Sequence, residues 1–147
     1  MVGWSGGGRR PGLVSTEPRW RGRVLLVDDD DVTRRICEVT MHAHLLDIVA
    51  CASGEDAVAL PDLDFDLVVI DIHLPLGIDG WATIEQLRAA QKAANVGQSQ
   101  VVVLTTDDSS AARKRSRALG IDEHLIKPTG MTRLNELART LSRPRAE

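Results

Sequence analysis

Five short runs with unbroken apolar centres alternate with stretches of helical periodicity, and this alternation narrows the possible folds more than any other feature. The runs are Arg23–Val27, Ile48–Cys51, Asp66–Asp71, Val101–Thr105 and His124–Ile126. A strand without polar alternation has no face to give to water, so it belongs inside a parallel sheet covered on both sides. Parallel neighbours need crossover connections, and the helical patterns between the runs supply them. Val32, Ile36, Val39 and Ala43 recur at helical spacing after the first run, with Arg34, Arg35 and Glu38 facing away, which predicts a helix buried along that stripe. Ser53 and Asp56 resemble a capping box opening a short helix that stops near Pro61. A Pro- and Gly-rich loop from Leu74 to Gly80 leads into a helix with Trp81, Ile84, Leu87, Ala90 and Ala94 on one side. A fourth helix around Ala111–Leu119 ends at Gly120, and a fifth places Met131, Leu134, Leu137, Ala138 and Leu141 on its inner side. The expected fold is α/β: a five-stranded parallel sheet, doubly wound with five helices.

At 147 residues the chain suits one domain. Residues 1–22 hold six of the twelve glycines and no periodicity, which predicts a flexible arm; residues 23–142 form the domain and 143–147 a tail. No output domain is expected after residue 142. The net charge of −3 is unevenly spread: five Arg against Glu17 in residues 1–23 and three Arg against Glu147 in residues 139–147 leave −9 on residues 24–138. An acidic body with three Trp, one Phe and no Tyr is ill suited to a phosphate backbone or stacked bases, so no direct nucleic-acid contact is expected. Cys37 and Cys51 are expected as buried reduced thiols, without metal spacing. No stretch reaches the roughly 18 apolar residues of a membrane span, and no apolar segment follows Arg9-Arg10, so a cytoplasmic protein without membrane contact is expected.

Ligands of open parallel sheets sit at the carboxyl ends of the strands. There the chain places Asp28 and Asp29 after the first strand, Asp71 at the third, Thr105 at the fourth and Lys127 after the fifth. Gathered carboxylates repel one another unless a cation offsets them, and oxygen-only ligands suit Mg²⁺. Lys127 and Thr105 remain as positive charge and donor for a neighbouring anion, of which a phosphoryl group is the natural choice.

V-D-D at 27–29, V-V-I-D at 68–71 with Pro75 and Gly80 downstream, L-T-T at 104–106 and I-K-P at 126–128 occur in order, and together they resemble the receiver domain of two-component response regulators over residues 23–142. The resemblance implies the flavodoxin-like receiver fold, with Asp71 as phosphoacceptor for a phosphohistidine. It implies Mg²⁺ or Mn²⁺ held by Asp28, Asp29, Asp71 and the His73 backbone carbonyl, with Asp29 as the direct ligand and Asp28 acting largely through water. It implies that Lys127 pairs with Asp71, that Thr105 donates to the phosphoryl group and moves to signal, that His124 replaces the usual switch Tyr or Phe, and that Lys127-Pro128 is cis. The partners implied are a histidine kinase or histidine phosphotransfer protein and a downstream protein, met through the fourth helix, fifth strand and last helix; a homodimer is possible. A signalling domain that phosphorylates and dephosphorylates itself, rather than a turnover enzyme, is the expectation. The loop after Asp71 is one residue longer than the common form, and Thr106 stands where a smaller residue is usual.

A second class competes. Asp29-Asp30-Asp31-Val32-Thr33 matches the D-x-D-x-T motif of haloacid-dehalogenase-like phosphatases, with Asp29 as nucleophile and Asp31 as acid/base. That reading leaves Asp71 unused and lacks the pair of acids such enzymes need after the lysine. An EF-hand fails because Arg34 stands where its loop requires Gly. Asp30 and Asp31 are expected as helix N-terminal charges, and Asp107-Asp108 as caps of the fourth helix, with Asp107 also facing the site. His42 and His44 are expected at the surface or half-buried, free of metal. Arg113, Lys114, Arg115 and Arg117 form either a solvated helix face or a partner contact. Trp4 and Trp20 fall in the arm.

Overall fold

The computed structural model describes residues 19–142; Trp4, most of the expected arm and the tail lie outside them. The elements alternate as β1 (Gly22–Val27), α1 (Asp31–Ala43), β2 (Leu46–Cys51), α2 (Gly54–Val58), β3 (Leu67–Ile70), α3 (Gly80–Ala93), β4 (Gln100–Thr105), α4 (Ser110–Ala118), β5 (Glu123–Ile126) and α5 (Gly130–Ser142). All strand pairs are parallel, in the order β2-β1-β3-β4-β5. The expected α/β architecture is the observed one.

Successive strand residues feed opposite layers. Leu25, Val27, Val68, Ile70, Val101 and Val103 pack with Ala57, Trp81, Ile84, Leu87 and Ala112. Val24, Leu26, Leu67, Val69, Val102 and Leu104 pack with Cys37, Met41, Leu134, Leu137 and Ala138 on the other face. Both cysteines are buried and unpaired, and burial pushes the Cys37 thiol up to about 12. Four helices begin on a side-chain oxygen that accepts a backbone N–H: Asp30 from Val32, Ser53 from Asp56, Asp79 from Ala82 and Ser109 from Ala112. The fourth cap is Ser109, not the expected Asp107-Asp108. Gly120, at φ +66°, follows the end of α4.

One expectation is overturned. The stripe Val32, Ile36, Val39 and Ala43 faces solvent, with the first three 64%, 47% and 55% exposed. Thr33, Cys37 and Met41, at equal helical spacing, face the sheet instead. The start of α1 accounts for this rotation. The Thr33 hydroxyl donates to Asp30 Oδ2 at 2.7 Å, and Arg34, expected to face away, reaches back to the Asp28 carbonyl at 2.8 Å. Trp20, expected in a loose arm, stacks against His42, ring centroids 5.3 Å apart.

Chain order reverses direction in the sheet between β1 and β3, since β1 leads outward to β2 and the chain then returns to the other side of β1. A crevice forms at such a switch point, outside the carboxyl ends of the two strands. Asp28 and Asp71 are the next residues after those strands.

Candidate functional site

Asp28 and Asp71 are held at the crevice by main-chain bonds before any side-chain chemistry begins. The Asp28 N–H donates to the Cys51 carbonyl at 3.0 Å and the Asp71 N–H to the Val27 carbonyl at 2.9 Å. Asp28 is fully buried and Asp71 is 8% exposed, whereas Asp29 is open to solvent. Carboxylate oxygens from the three residues all lie within 4.8 Å of one another. Each buried carboxylate also accepts a nearby N–H: Asp28 Oδ1 from Asp30 at 2.9 Å and Asp71 Oδ1 from His73 at 3.0 Å.

Lys127 closes the cluster. The N–H of Lys127 donates to the Thr105 carbonyl at 2.8 Å, continuing the ladder past β5. Its Nζ lies 2.8 Å from Asp28 Oδ2 and 3.2 Å from Asp71 Oδ2. Burial works against the ammonium, but the two carboxylates outweigh it and hold Lys127 above its ordinary value. Burial also pushes the Asp28 carboxyl up, against the opposing pull of Lys127 and the Asp30 N–H. A single ammonium therefore does not fully offset the two buried acids and the exposed third. An all-oxygen donor set with negative charge to spare fits a hard divalent cation.

Gly80 is what brings α3 this close. A Cβ there would lie 2.4 Å from both the Asp71 carbonyl oxygen and the Ile72 Cα. The intervening loop is held from α2: Glu55 accepts the Ile78 N–H at 3.2 Å, and Gly77 takes φ +77° directly against the Glu55 carboxylate. Lys127-Pro128 is cis, as the resemblance implied.

Thr105 is buried at the end of β4, and Thr106 beside it is exposed. The Thr105 Oγ1 accepts the Asp107 N–H at 3.2 Å, which leaves its own proton free to donate elsewhere. Every other polar atom of Asp107 is also engaged. Oδ2 meets His73 Nε2 at 2.7 Å, Oδ1 accepts the Ser109 N–H at 2.9 Å, and the carbonyl meets His124 Nε2 at 2.9 Å. The carbonyl can only accept, so His124 carries a proton on Nε2, and its Nδ1 meets Ser116 Oγ at 2.7 Å. Hydrogen bonding by Ser109, and then by His73, holds the Asp107 carboxyl below the ordinary range.

Asp28, Asp29, Asp71 and Lys127 thus converge. Thr105 adjoins the cluster through the Lys127 N–H, and His124 stands further out, joined to Thr105 by Asp107. The His73 side chain turns to Asp107, while its N–H serves Asp71. Asp107 was flagged by its place two residues after Thr105, but its junction of four bonds has no sequence signal. Arg34, whose guanidinium supports the Asp28 carbonyl, was missed because it lies on a stripe that looks solvent-facing. Asp31, the acid/base of the phosphatase reading, has a side chain 89% exposed and paired with Arg34, so that reading gains no support. His42 is exposed, and half-buried His44 places Nε2 2.8 Å from Asn135 Oδ1. No helix among the described residues is long and apolar enough to cross a membrane.

Comparison with known proteins agrees with this geometry. Residues 24–139 match the response regulator receiver domain. The chain is 32% identical over 136 residues to the virulence sensor protein BvgS of Bordetella bronchiseptica, covering 88% of this chain and 11% of that protein. It is 32% identical over 114 residues to the transcriptional regulatory protein HprR of Escherichia coli, covering 76% of this chain and 48% of that one. The chain thus spans about half or less of these relatives. Among solved structures, the receiver domain of the Francisella response regulator 1452 superposes with a TM-score of 0.67 at 23% identity, covering 82% of this chain and 96% of that one. The chemotaxis response regulator CheY4 of Vibrio cholerae gives 0.63 at 21%, covering 80% and 98%. The fold, the acidic edge with its lysine and the match over nearly all the described residues place this chain in the response regulator receiver domain family.

Proposed function

We propose that Asp71 is the phosphoacceptor of this receiver domain. A carboxylate oxygen of Asp71 attacks the phosphorus of a phosphohistidine; the P–O bond forms as the P–N bond breaks, and the electron pair leaves with the imidazole. The product is an acyl phosphate, which water later cleaves. The observation that carries this reading is the pairing of Asp71 with Lys127 beside Asp28 at the sheet's switch point. Lys127 moves its attraction from the Asp71 carboxylate to the phosphoryl oxygens, and Thr105 donates its free hydroxyl proton to one of them. Asp28, Asp29, Asp71 and the His73 carbonyl would hold Mg²⁺ or Mn²⁺, which when bound offsets the charge on phosphorus oxygens and carboxylates. The domain is labelled and unlabelled in a signalling cycle rather than turning over a substrate.

The phosphodonor is a histidine kinase or histidine phosphotransfer protein. Val32, Ile36 and Val39 offer it an apolar docking stripe on the helix that starts beside the aspartates, with Leu76, 80% exposed, on the loop after Asp71. Thr105, Asp107, His124 and Ser116 form a hydrogen-bonded path from the site to α4, which supports output through α4, β5 and α5 to a downstream protein or a second copy. The action of such a domain is cytoplasmic.

The test is incubation with acetyl phosphate and Mg²⁺, followed by intact-mass measurement. Wild type gains one phosphoryl group and Asp71→Asn gains none, while Lys127→Ala and Asp29→Asn are labelled more slowly. Labelling that persists in Asp71→Asn overturns the assignment.

A further inference from the structure

Asp29 is the one carboxylate of the acidic cluster that nothing holds by its side chain. Asp28 Oδ1 accepts the Asp30 N–H and Asp71 Oδ1 accepts the His73 N–H, and the remaining oxygen of each meets Lys127. Asp29 is exposed, and among the described residues its carboxylate has no hydrogen-bond or ion-pair partner. Even so, it brings an oxygen within 4.8 Å of ligand oxygens on both buried acids. Its placement is therefore decided by the main chain on either side of it. A trans peptide is planar, so holding its carbonyl or its N–H restrains the whole unit. Both units that flank Asp29 are trans and held in this way. The unit joining Asp29 to Asp30 is held by its N–H, which donates to Asp28 Oδ1 at 2.9 Å. The unit joining Asp28 to Asp29 is held by its carbonyl, which accepts from Arg34 Nη1 at 2.8 Å. Arg34 Nη2 pairs with Asp31, so one planar fork spans the turn from the end of β1 into α1. The Arg34 side chain is 21% exposed, against 77% for the neighbouring Arg35.

We infer that Arg34 is a positioning residue for divalent-cation binding: by holding the Asp28 carbonyl it keeps the Asp29 carboxylate where it completes the ligand set. The inference rests on the reading of Asp28, Asp29 and Asp71 as metal ligands. Two effects of the arginine oppose each other. Its positive charge repels a cation, so by charge alone its removal tightens binding. Its hydrogen bond keeps an otherwise unheld ligand in place, so its removal leaves Asp29 to be ordered when the ion arrives, which weakens binding. The second effect prevails. The charge of Arg34 is offset by Asp31 at close range, whereas no other side chain among the described residues donates to the Asp28 carbonyl.

The experiment titrates the isotope-labelled full chain with MgCl₂ at constant ionic strength and follows the Asp28, Asp29 and Asp30 amide signals by NMR. Arg34→Gln, too short for the fork and uncharged, should raise the Kd for Mg²⁺ about tenfold, the low end for groups that orient metal ligands. Arg34→Lys, which keeps the charge and reaches with a single donor, should recover part of that loss. The control is Arg35→Gln, an equal charge change one residue along, and it should leave the Kd unchanged or lower it. The dispersion of each spectrum verifies that the variant is folded. In acetyl phosphate labelling, Arg34→Gln should be slow at low Mg²⁺ and regain the wild-type rate at saturating Mg²⁺. An unchanged or smaller Kd in Arg34→Gln overturns the inference, as does an equal weakening in Arg35→Gln. A wild type that binds no Mg²⁺ overturns the metal reading of the site and the inference with it, so the two failures are told apart.

Discussion

Lys127 lies nearer to Asp28 than to Asp71, 2.8 Å against 3.2 Å, so the ammonium's first duty is to the carboxylate that water cannot reach. Lys127→Ala strands Asp28 in the core. The expected cost is about 3–5 kcal/mol in urea unfolding at pH 7, the range for breaking a buried pair from one side. Added Mg²⁺ should recover part of it. A loss within error of zero would show that Asp28 is neutralised by other means.

Gly80→Ala places a methyl group 2.4 Å from the Asp71 carbonyl oxygen and the Ile72 Cα, neither of which is the end of a flexible side chain. The strand end or α3 must give way, at about 1–3 kcal/mol. Because the strained atoms include Asp71 itself, the variant should also label more slowly with acetyl phosphate. Stability lost without any change in labelling rate would show that the shift is taken up by α3 alone.

The two stripes of α1 differ in what they should tolerate. Ile36→Ser and Val39→Ser change exposed positions and should move stability by no more than about 0.5 kcal/mol. Met41→Ala opens a space in a fully buried position and should cost about 2–5 kcal/mol. The serine variants should label normally with acetyl phosphate but poorly from a phosphohistidine protein. Equal rates from both donors would remove the docking role.

Asp30 and Asp107 are both held below the ordinary carboxylate range, Asp30 chiefly by the Thr33 hydroxyl and Asp107 chiefly by Ser109. A depressed folded-state pKa means that the unfolded chain takes up protons first as pH falls. Their stabilisation is therefore complete above the usual value of about 3.9 and is lost as pH drops through the lower folded value. The gap in urea midpoint between wild type and Asp107→Ala should shrink as the pH falls below about 4. A gap that stays constant through the acid range would mean that Asp107 acts by packing rather than charge.

The alternation of strands and helices was legible because a strand buried on both faces leaves a run of Val, Leu and Ile that no other element explains. The aspartates and Lys127 were legible because each directly follows such a run, and strand ends meet at one edge whatever the side chains do. The buried face of α1 was not. Val32/Ile36/Val39 and Thr33/Cys37/Met41 have the same helical spacing, and only the cap contact between Asp30 and Thr33, with Arg34 turned inward, decides between them. Hydropathy alone favours the wrong stripe, since threonine and cysteine look less apolar than valine and isoleucine. The junction at Asp107 was illegible for a similar reason, because two of its four bonds come from residues 17 and 34 positions away.

Arg21 donates to the Ser142 carbonyl at 2.9 Å, so the first strand's entry and the last helix's exit stand within one arginine's reach, at the pole away from the aspartates. A domain whose ends meet at its base behaves as a pendant. Fluorophores, tethers or surface anchors attached at residues 21 and 142 would leave the acidic edge and α4 uncovered. Joining those two positions by a short linker would allow the chain to be reopened in a loop, such as the one after α3, without dismantling the sheet.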